Sequence, residues 1–416
     1  MEFKLNYGKS NVLVEVNENN ILDILMPNKI NIKINGEEAV KNALLNPIGT
    51  KRLKDIAKQG EKVAIITSDI TRPVPSKIIL PEIIEELHLA GVKNEDIMII
   101  FALGSHRKHS EEEKKYLVGD YIYNNIMCID SDMNDCVNLG VTSSGTPVDI
   151  FRPAVEADRR ICIGNIEYHY FAGYSGGMKA IMPGISSKRA IQSNHSKMIL
   201  DGAMAGEILN NPVRQDINEV ASFIPVDFIL NVVLDEHKNI IGAVAGHYIE
   251  AHNVGCKILD NLYKVKIKNK ADIVIVSAGG FPKDLNLYQA QKALDNAKHA
   301  VKIGGIIILI AECDEGLGNK TFENWLMRAN SPDEIIEMIQ KDFELGGHKA
   351  AAIAKVAKNC SIYLVSKLDK KIAQKAFMKP YNNIQTAFDD AIKCLGNQSR
   401  VTIMPFGGST LPVYYV

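Results

Sequence analysis

The sequence predicts an α/β protein: two α/β domains with mostly parallel sheets, an N-terminal β-rich segment, and an active site in the interdomain cleft. Three observations carry that prediction. Apolar runs of strand length alternate with helical patterns, as in "KVAIITSD", "SKIILPEIIEELHLAG" and "DIMIIFALGSH". Strand, helix and strand in that rhythm form a β-α-β unit, whose strands run parallel and are covered on both faces. The same grammar restarts after the basic stretch "KVKIKNK" (Lys264 to Lys270). Polar and glycine residues gather where the buried runs end, and ligands of open α/β sheets bind at the carboxyl ends of strands.

Taken in order, the first fifty or so residues alternate polar and apolar ("FKLNYG", "NVLVEV", "INIKING") and read as short antiparallel strands. "SKIILPEIIEELHLAG" has helical periodicity and closes on Gly91. "RRICIGNIEYH" is a third buried strand running into a glycine-rich loop. Domain 1–264 therefore carries one α/β block, and 265–416 a second. The second block reads strand, glycine loop, amphipathic helix and strand ("ADIVIVSAGGFPKDLNLYQAQKALDNAKHAVKIGGIIILIA"), and its last strands are "CSIYLVSK" and "SRVTIMPFG".

Composition excludes several classes. A net charge of −1 over 416 residues gives no electrostatic footprint for nucleic acid or an anionic membrane, and "KVKIKNK" reads as a solvated connector. Seven cysteines, scattered and never in C-x-x-C spacing, argue against a disulfide framework and a structural zinc site. "MEFKLNYGKS" has no apolar signal core, and "IMIIFALG" and "IIILIA" are too short to span a bilayer. A cytoplasmic protein is expected.

His106 in "GSHRKH" and His169 in "EYHYFAG" are the acid–base candidates, since imidazole moves protons near neutral pH. A lone loop histidine is more often just hydrogen-bonded to backbone. Two at equivalent strand ends, beside glycines, bring the functional reading level. His109 shares the loop and competes with His106. His195 in "IQSNHSK" has no second His or Cys at ligand spacing. It is a helix-face histidine unless a cofactor supplies the other donors.

"GYSGGMK" is not a phosphate-binding Walker loop, because Lys179 is followed by Ala180 and not by Ser or Thr. Lys179 stays open between a phosphate-binding point charge, a Schiff-base nucleophile and a surface lysine. Arg72 in "SDITRPVP" offers a fork for a carboxylate or phosphate, or pairs with an Asp of its own loop. Tyr288, Gln289 and Lys292 in "NLYQAQKAL" begin a helix, where backbone N–H groups favour anions. Gln289 and Lys292 share a face.

In this order and spacing, "SDITRPVP", "GSHR", "HYFAGYSGGMKAIMPG", "SNHS" and "YQAQK" resemble the nickel-dependent lactate racemase family. The likeness runs from about residue 60 to about 300, and "LGGHKA" (Leu345 to Ala350) fits too. The resemblance implies a nickel-pincer nucleotide, a pyridinium mononucleotide bonded covalently to a lysine and holding nickel through sulfur, carbon and sulfur. By the same resemblance Lys179 is the tether, His195 the nickel ligand, and His106 and His169 the catalytic pair. Asp69, Thr71, Arg72 and Tyr288 would hold the cofactor, and Arg72, Gln289 and Lys292 the substrate. The glycines of the loop would let backbone close around the bulky nucleotide.

The implied reaction is racemisation of a 2-hydroxy acid, lactate or a close relative, by proton-coupled hydride transfer through a 2-keto acid. One histidine takes the hydroxyl proton, and the opposite one returns a proton when the other face is reduced. Implied partners are the small 2-hydroxy acid and the proteins that synthesise the cofactor, with no nucleic acid and no membrane. At Gly347 and His348 the chain lacks a large aromatic that characterised lactate racemases can carry, which is expected to leave room for a larger substrate. Two alternatives stand beside this reading. One is an epimerase of a longer 2-hydroxy acid such as a sugar acid, with the same cofactor. The other is a non-catalytic module that binds an anion. An NAD dehydrogenase is disfavoured because no G-x-G-x-x-G follows any strand.

Overall fold

The computed structural model describes residues 1–28, 35–235, 237–341, 343–344 and 346–414. The chain divides into two compact units, Ile30–Asp260 and Met1–Lys29 with Asn261–Val416. The expected domain 1–264 thus loses its first residues to the second unit. The strand Ile21–Ile24 joins that unit's sheet, parallel to Val401–Met404. The antiparallel hairpin of Glu2–Tyr7 and Ser10–Glu15 sends Leu5 and Val14 into the same unit's core. Alternation shows that a segment is a strand but not which distant edge it will complete. Residues 30 to 34, most of "INIKING", lie outside the described residues.

The unit Ile30–Asp260 is built on a six-stranded sheet. Its order is Ile240–Gly246, Phe228–Leu234, Arg159–Ile166, Val63–Ser68, Ile97–Ala102, Met127–Asp130. All neighbours are parallel except the first strand, which is antiparallel to Phe228–Leu234. The central strands are near-continuous apolar runs because both faces are covered. Ile65, Ile99, Phe101, Ile161 and Ile163 share one core cluster with Ile79, Leu80, Ile83 and Leu87 of the helix Ser76–Leu89. Each such side chain contributes about 1.5–3 kcal/mol by leaving water.

This strand order positions the site. From Val63–Ser68 the chain moves one way to Ile97–Ala102 and Met127–Asp130, then returns to add Arg159–Ile166 on the other side. The order therefore reverses beside Val63–Ser68, and a crevice opens at the carboxyl ends of strands where that happens. The polar loops starting at Asp69, Leu103 and Glu167 leave from those ends.

The second unit has a six-stranded, all-parallel sheet. Its order is Met378–Tyr381, Ser361–Val365, Val301–Ile310, Ala271–Ser277, Val401–Met404, Ile21–Ile24. "KVKIKNK" is not a solvated connector. Lys264–Ile267 is a strand parallel to Leu411–Tyr414, because Val265 and Ile267 alternate with lysines and Ile267 is buried. Among the described residues no helix is long and apolar enough to cross a membrane.

Candidate active site

The loop after Val63–Ser68 is organised around one carboxylate. Asp69 is buried, and its Oδ2 lies 2.5 Å from His106 Nδ1 while its Oδ1 accepts from Thr71 Oγ1 at 2.8 Å. Burial alone pushes the Asp69 carboxyl up. The bonds from His106 and Thr71, with the nearby Arg72 charge, outweigh burial and hold it below the usual range. An ionised carboxylate at Nδ1 requires the proton there, so neutral His106 presents an unprotonated Nε2. That is the form of a general base with its counter-charge already in place.

His109, the competitor, is spoken for. It is buried, its Nδ1 bonds Asp130 Oδ1 at 2.6 Å, and its Nε2 accepts from the Ile70 N–H at 3.1 Å. Both ring nitrogens serve the fold, tying the Asp69 loop to the edge of the sheet.

The loop after Arg159–Ile166 uses aromatics and cations instead. Phe171 is buried at its centre, with ring centroids 4.4 Å from His169 and 4.9 Å from His195, and 5.9 Å from Lys179 Nζ. The sequence reading did not single out Phe171, although the aromatic run "HYF" marked the place. His169 is half-buried, and its Nδ1 accepts from the Ala172 N–H at 3.3 Å. Its neutral ring therefore carries the proton on Nε2 and offers a donor. Burial drives the His169 imidazolium well below the ordinary histidine range, reinforced by Lys179, Arg72, His195 and Arg214.

Arg72 Nη1 lies 3.9 Å from Glu167 Oε1, linking the two loops, and does not pair within its own loop by a direct ion pair. Lys179 sits in the short helical turn Gly177–Ala180. Burial pushes its ammonium well below the lysine range, with Arg214 and Arg72 adding to the effect and Glu167 opposing it. His195 lies near the end of the helix Lys188–Ser196, buried, with Nδ1 3.2 Å from Asn194 Oδ1.

The glycines of this loop answer to protein and not to an open space. Gly173 and Gly176 have φ of +76°. A Cβ on Gly173 would stand 1.9 Å from the Glu207 carbonyl oxygen, and one on Gly176 2.7 Å from Asn231 Oδ1. Positive φ and tight protein neighbours are reason enough for glycine at these two positions.

Comparison with known proteins decides the family. Residues 7–206 match the lactate racemase N-terminal domain model and residues 266–411 the lactate racemase C-terminal domain model. The chain belongs to the lactate racemase family. It is 36% identical over 417 residues to a lactate racemase of Thermoanaerobacterium thermosaccharolyticum, covering 97% of each chain. It is 33% identical to one of Lactiplantibacillus plantarum, again covering 97% of each. The lactate racemase apoprotein structure from T. thermosaccharolyticum superposes with a TM-score of 0.86 at 35% identity, covering 99% of this chain and 100% of that one. A Thermotoga maritima protein shares the fold alone, with a TM-score of 0.62 at 19% identity, covering 91% and 98%. As a member of the lactate racemase family the chain is an isomerase of the racemase type.

The remaining candidates of this racemase lie in the second unit. The helix Leu287–Ala297 is capped by Asn286, whose side chain accepts from the Gln289 N–H at 3.0 Å. Gln289 and Lys292 are exposed on it, and Tyr288 is half-buried. Lys349 fixes Tyr288, donating to its carbonyl at 2.5 Å with Nζ 3.9 Å from the ring centroid. Burial, with Lys292 nearby, brings the Lys349 ammonium down to about 7. The room expected at Gly347 is already filled. A Cβ there would lie 2.5 Å from the indole of Trp325, which Glu344 anchors through a 2.8 Å bond from Nε1.

Proposed function

We propose that the chain racemises a 2-hydroxy acid, lactate or a close relative, using a nickel-pincer nucleotide tethered to Lys179. The observation that carries the proposal is the complementary state of two histidines at strand ends flanking one switch point. His106 Nε2 is free to accept a proton, and His169 Nε2 carries one to donate.

The residues present fit the cofactor. Lys179 is a desolvated amine suited to covalent attachment, and its Nζ shares the Phe171 ring with the imidazole of His195. Among the described residues no group of three or more His, Cys, Asp or Glu is arranged for a metal, so the chain would contribute His195 and the cofactor the remaining donors. When bound, the cofactor supplies an acceptor for the α-hydrogen as hydride. Every proton movement then falls to the chain.

Arg72 receives the substrate carboxylate as a guanidinium fork. His106 Nε2 takes the hydroxyl proton, and the Asp69 carboxylate balances the imidazolium that forms. His169 Nε2–H steadies the oxygen at the opposite face. To act as the base in the reverse sense, His169 must release the Ala172 N–H and move its own proton to Nδ1. Gln289 and Lys292 complete the substrate contacts in this reading, and Asp69, Thr71 and Tyr288 support the cofactor. None of the seven cysteines is in a disulfide, which supports a reducing, cytoplasmic setting in this reading, where cofactor-synthesis proteins would mature the enzyme.

The test is chiral analysis of product from protein co-produced with the cofactor-synthesis machinery. Either enantiomer of lactate should converge on an equal mixture. Conversion of longer 2-hydroxy acids alone would favour the epimerase reading, and no conversion of any would leave an anion-binding module.

A further inference from the structure

We infer that Arg214 is a positioning residue for Lys179: its buried guanidinium clamps the loop that carries the amine and fixes a cation beside that loop. The inference rests on the reading of Lys179 as the tether. Arg214 lies in the helix Pro212–Glu219 and is 1% exposed. Its guanidinium donates to three carbonyls of one short segment. Nε reaches Ala172 at 3.2 Å, Nη1 reaches Gly176 at 3.4 Å, and Nη2 bonds Tyr174. The turn bearing Lys179 begins immediately afterwards, at Gly177.

Among the described residues these carbonyls are the only partners of the guanidinium, and no carboxylate pairs with it. A fully buried arginine without an acid is uncommon, because the desolvation of an uncompensated cation costs several kcal/mol. The three carbonyl dipoles offset part of that and hold the charge in place. Burial is the larger cause that pushes the Lys179 ammonium down, and the fixed Arg214 charge adds to it. Most of the charged groups around Lys179 act in one direction. Arg214 and Arg72 oppose an ammonium, Glu167 alone favours one, and His169 and His252 are held neutral by burial. A lysine desolvated next to another cation is an established way to make an amine nucleophilic.

The test uses the full, cofactor-free chain and a small acylating probe, acetyl N-hydroxysuccinimide ester at trace level. The amine nitrogen bonds the acyl carbon, the ester C–O bond breaks, and the proton passes to buffer. Mass spectrometry of the Lys179 peptide between pH 6 and 11 gives its titration, with exposed Lys188 as the internal reference. Lys179 should reach half-maximal labelling well below Lys188. Arg214→Met should move it toward Lys188, slowing labelling at pH 7 about tenfold for each unit moved. Arg214→Lys, which keeps the charge, should stay within a few-fold of wild type. Co-titration of Lys179 with Lys188 in wild type would overturn the inference. So would an Arg214→Met protein with a wild-type melt and unchanged labelling. If Arg214→Met does not fold, the wild-type profile and Arg214→Lys decide, and a large loss in Arg214→Lys would contradict the role given to charge. The probe needs neither cofactor nor substrate. An unmodified Lys179 in matured, active protein would sink the tethering reading while leaving this result standing.

Discussion

His106 and His169 follow strands of the same sheet, yet the fold supports them in opposite ways. His106 leans on a buried carboxylate at 2.5 Å, so a positive charge on its ring is balanced where it forms. His169 has no carboxylate partner among the described residues. It accepts from a backbone N–H, packs edge-on to Phe171, and has Lys179, Arg72 and Arg214 as surrounding charges. The first environment places a counter-charge on the ring, and the second opposes an imidazolium. A racemase has to run its reaction from both faces, and in the proposed mechanism this pair starts from unlike resting states. The two directions of reaction are therefore expected to differ in which proton step is slow, although the overall equilibrium cannot be altered.

The largest effect should come from the residue that serves both histidines equally. Lys179→Ala in matured protein is expected to lose the adduct mass on its peptide and to lower activity in both directions to background, read by intact mass and chiral chromatography. Equal loss in both directions leaves the comparison intact; an enantiomer-selective loss would break it.

Next come the histidines themselves. His106→Ala and His169→Ala should each suppress steady-state racemisation by roughly 10²–10⁴, because a full cycle needs both. Initial rates from each enantiomer measure this directly.

Removing the feature that distinguishes the two sharpens the contrast. Asp69→Asn should cost about tenfold to a hundredfold in kcat with little change in KM, since it leaves the His106 ring without its counter-charge. It also has a stability signature. The folded Asp69 carboxyl lies below its unfolded value of about 3.9, so its contribution is complete above that pH and is lost as pH falls through the folded value. The melting temperature of Asp69→Asn should accordingly fall less steeply than that of wild type on acidification. An unchanged acid limb would argue that the carboxylate has no special stake in the folded state.

These contrasts also mark what the sequence made legible. Strands ending at Ser68, Ala102 and Ile166 announced themselves as buried apolar runs followed by polar loops, and the candidate residues were picked from those ends. His106 and His109, by contrast, sit three positions apart in one loop. The bonds of His109 to Asp130, 21 residues away in sequence, and to the Ile70 N–H occupy both its ring nitrogens, whereas His106 is held through Nδ1 by Asp69. Arg214 was invisible for a similar reason, because in "NPVRQDIN" it reads as one polar position on a short helix. The acceptors that give it meaning are about forty residues earlier. The partner sheet of the first strands was equally hidden, since Ile21–Ile24 pairs with a segment at the far end of the chain.

The smallest catalytic effect is expected at His109. His109→Ala should cost stability, about 1–3 kcal/mol from leaving the Ile70 N–H and Asp130 without their partner, while kcat changes only a few-fold. Denaturant melts beside initial rates would show it. A dead but fully stable variant would mean that the roles of the two loop histidines are reversed.

The central claim is that each histidine handles the proton of one enantiomer, and single-turnover chemistry tests it most directly. Matured His106→Ala and His169→Ala would each be mixed in excess with D- or L-lactate, and enzyme-bound 2-keto acid quantified after rapid quench. The account predicts a crossed pattern: each variant still oxidises one enantiomer to bound keto acid and fails on the other, with the choice reversed between the two. Equal oxidation of both enantiomers by either variant would contradict it.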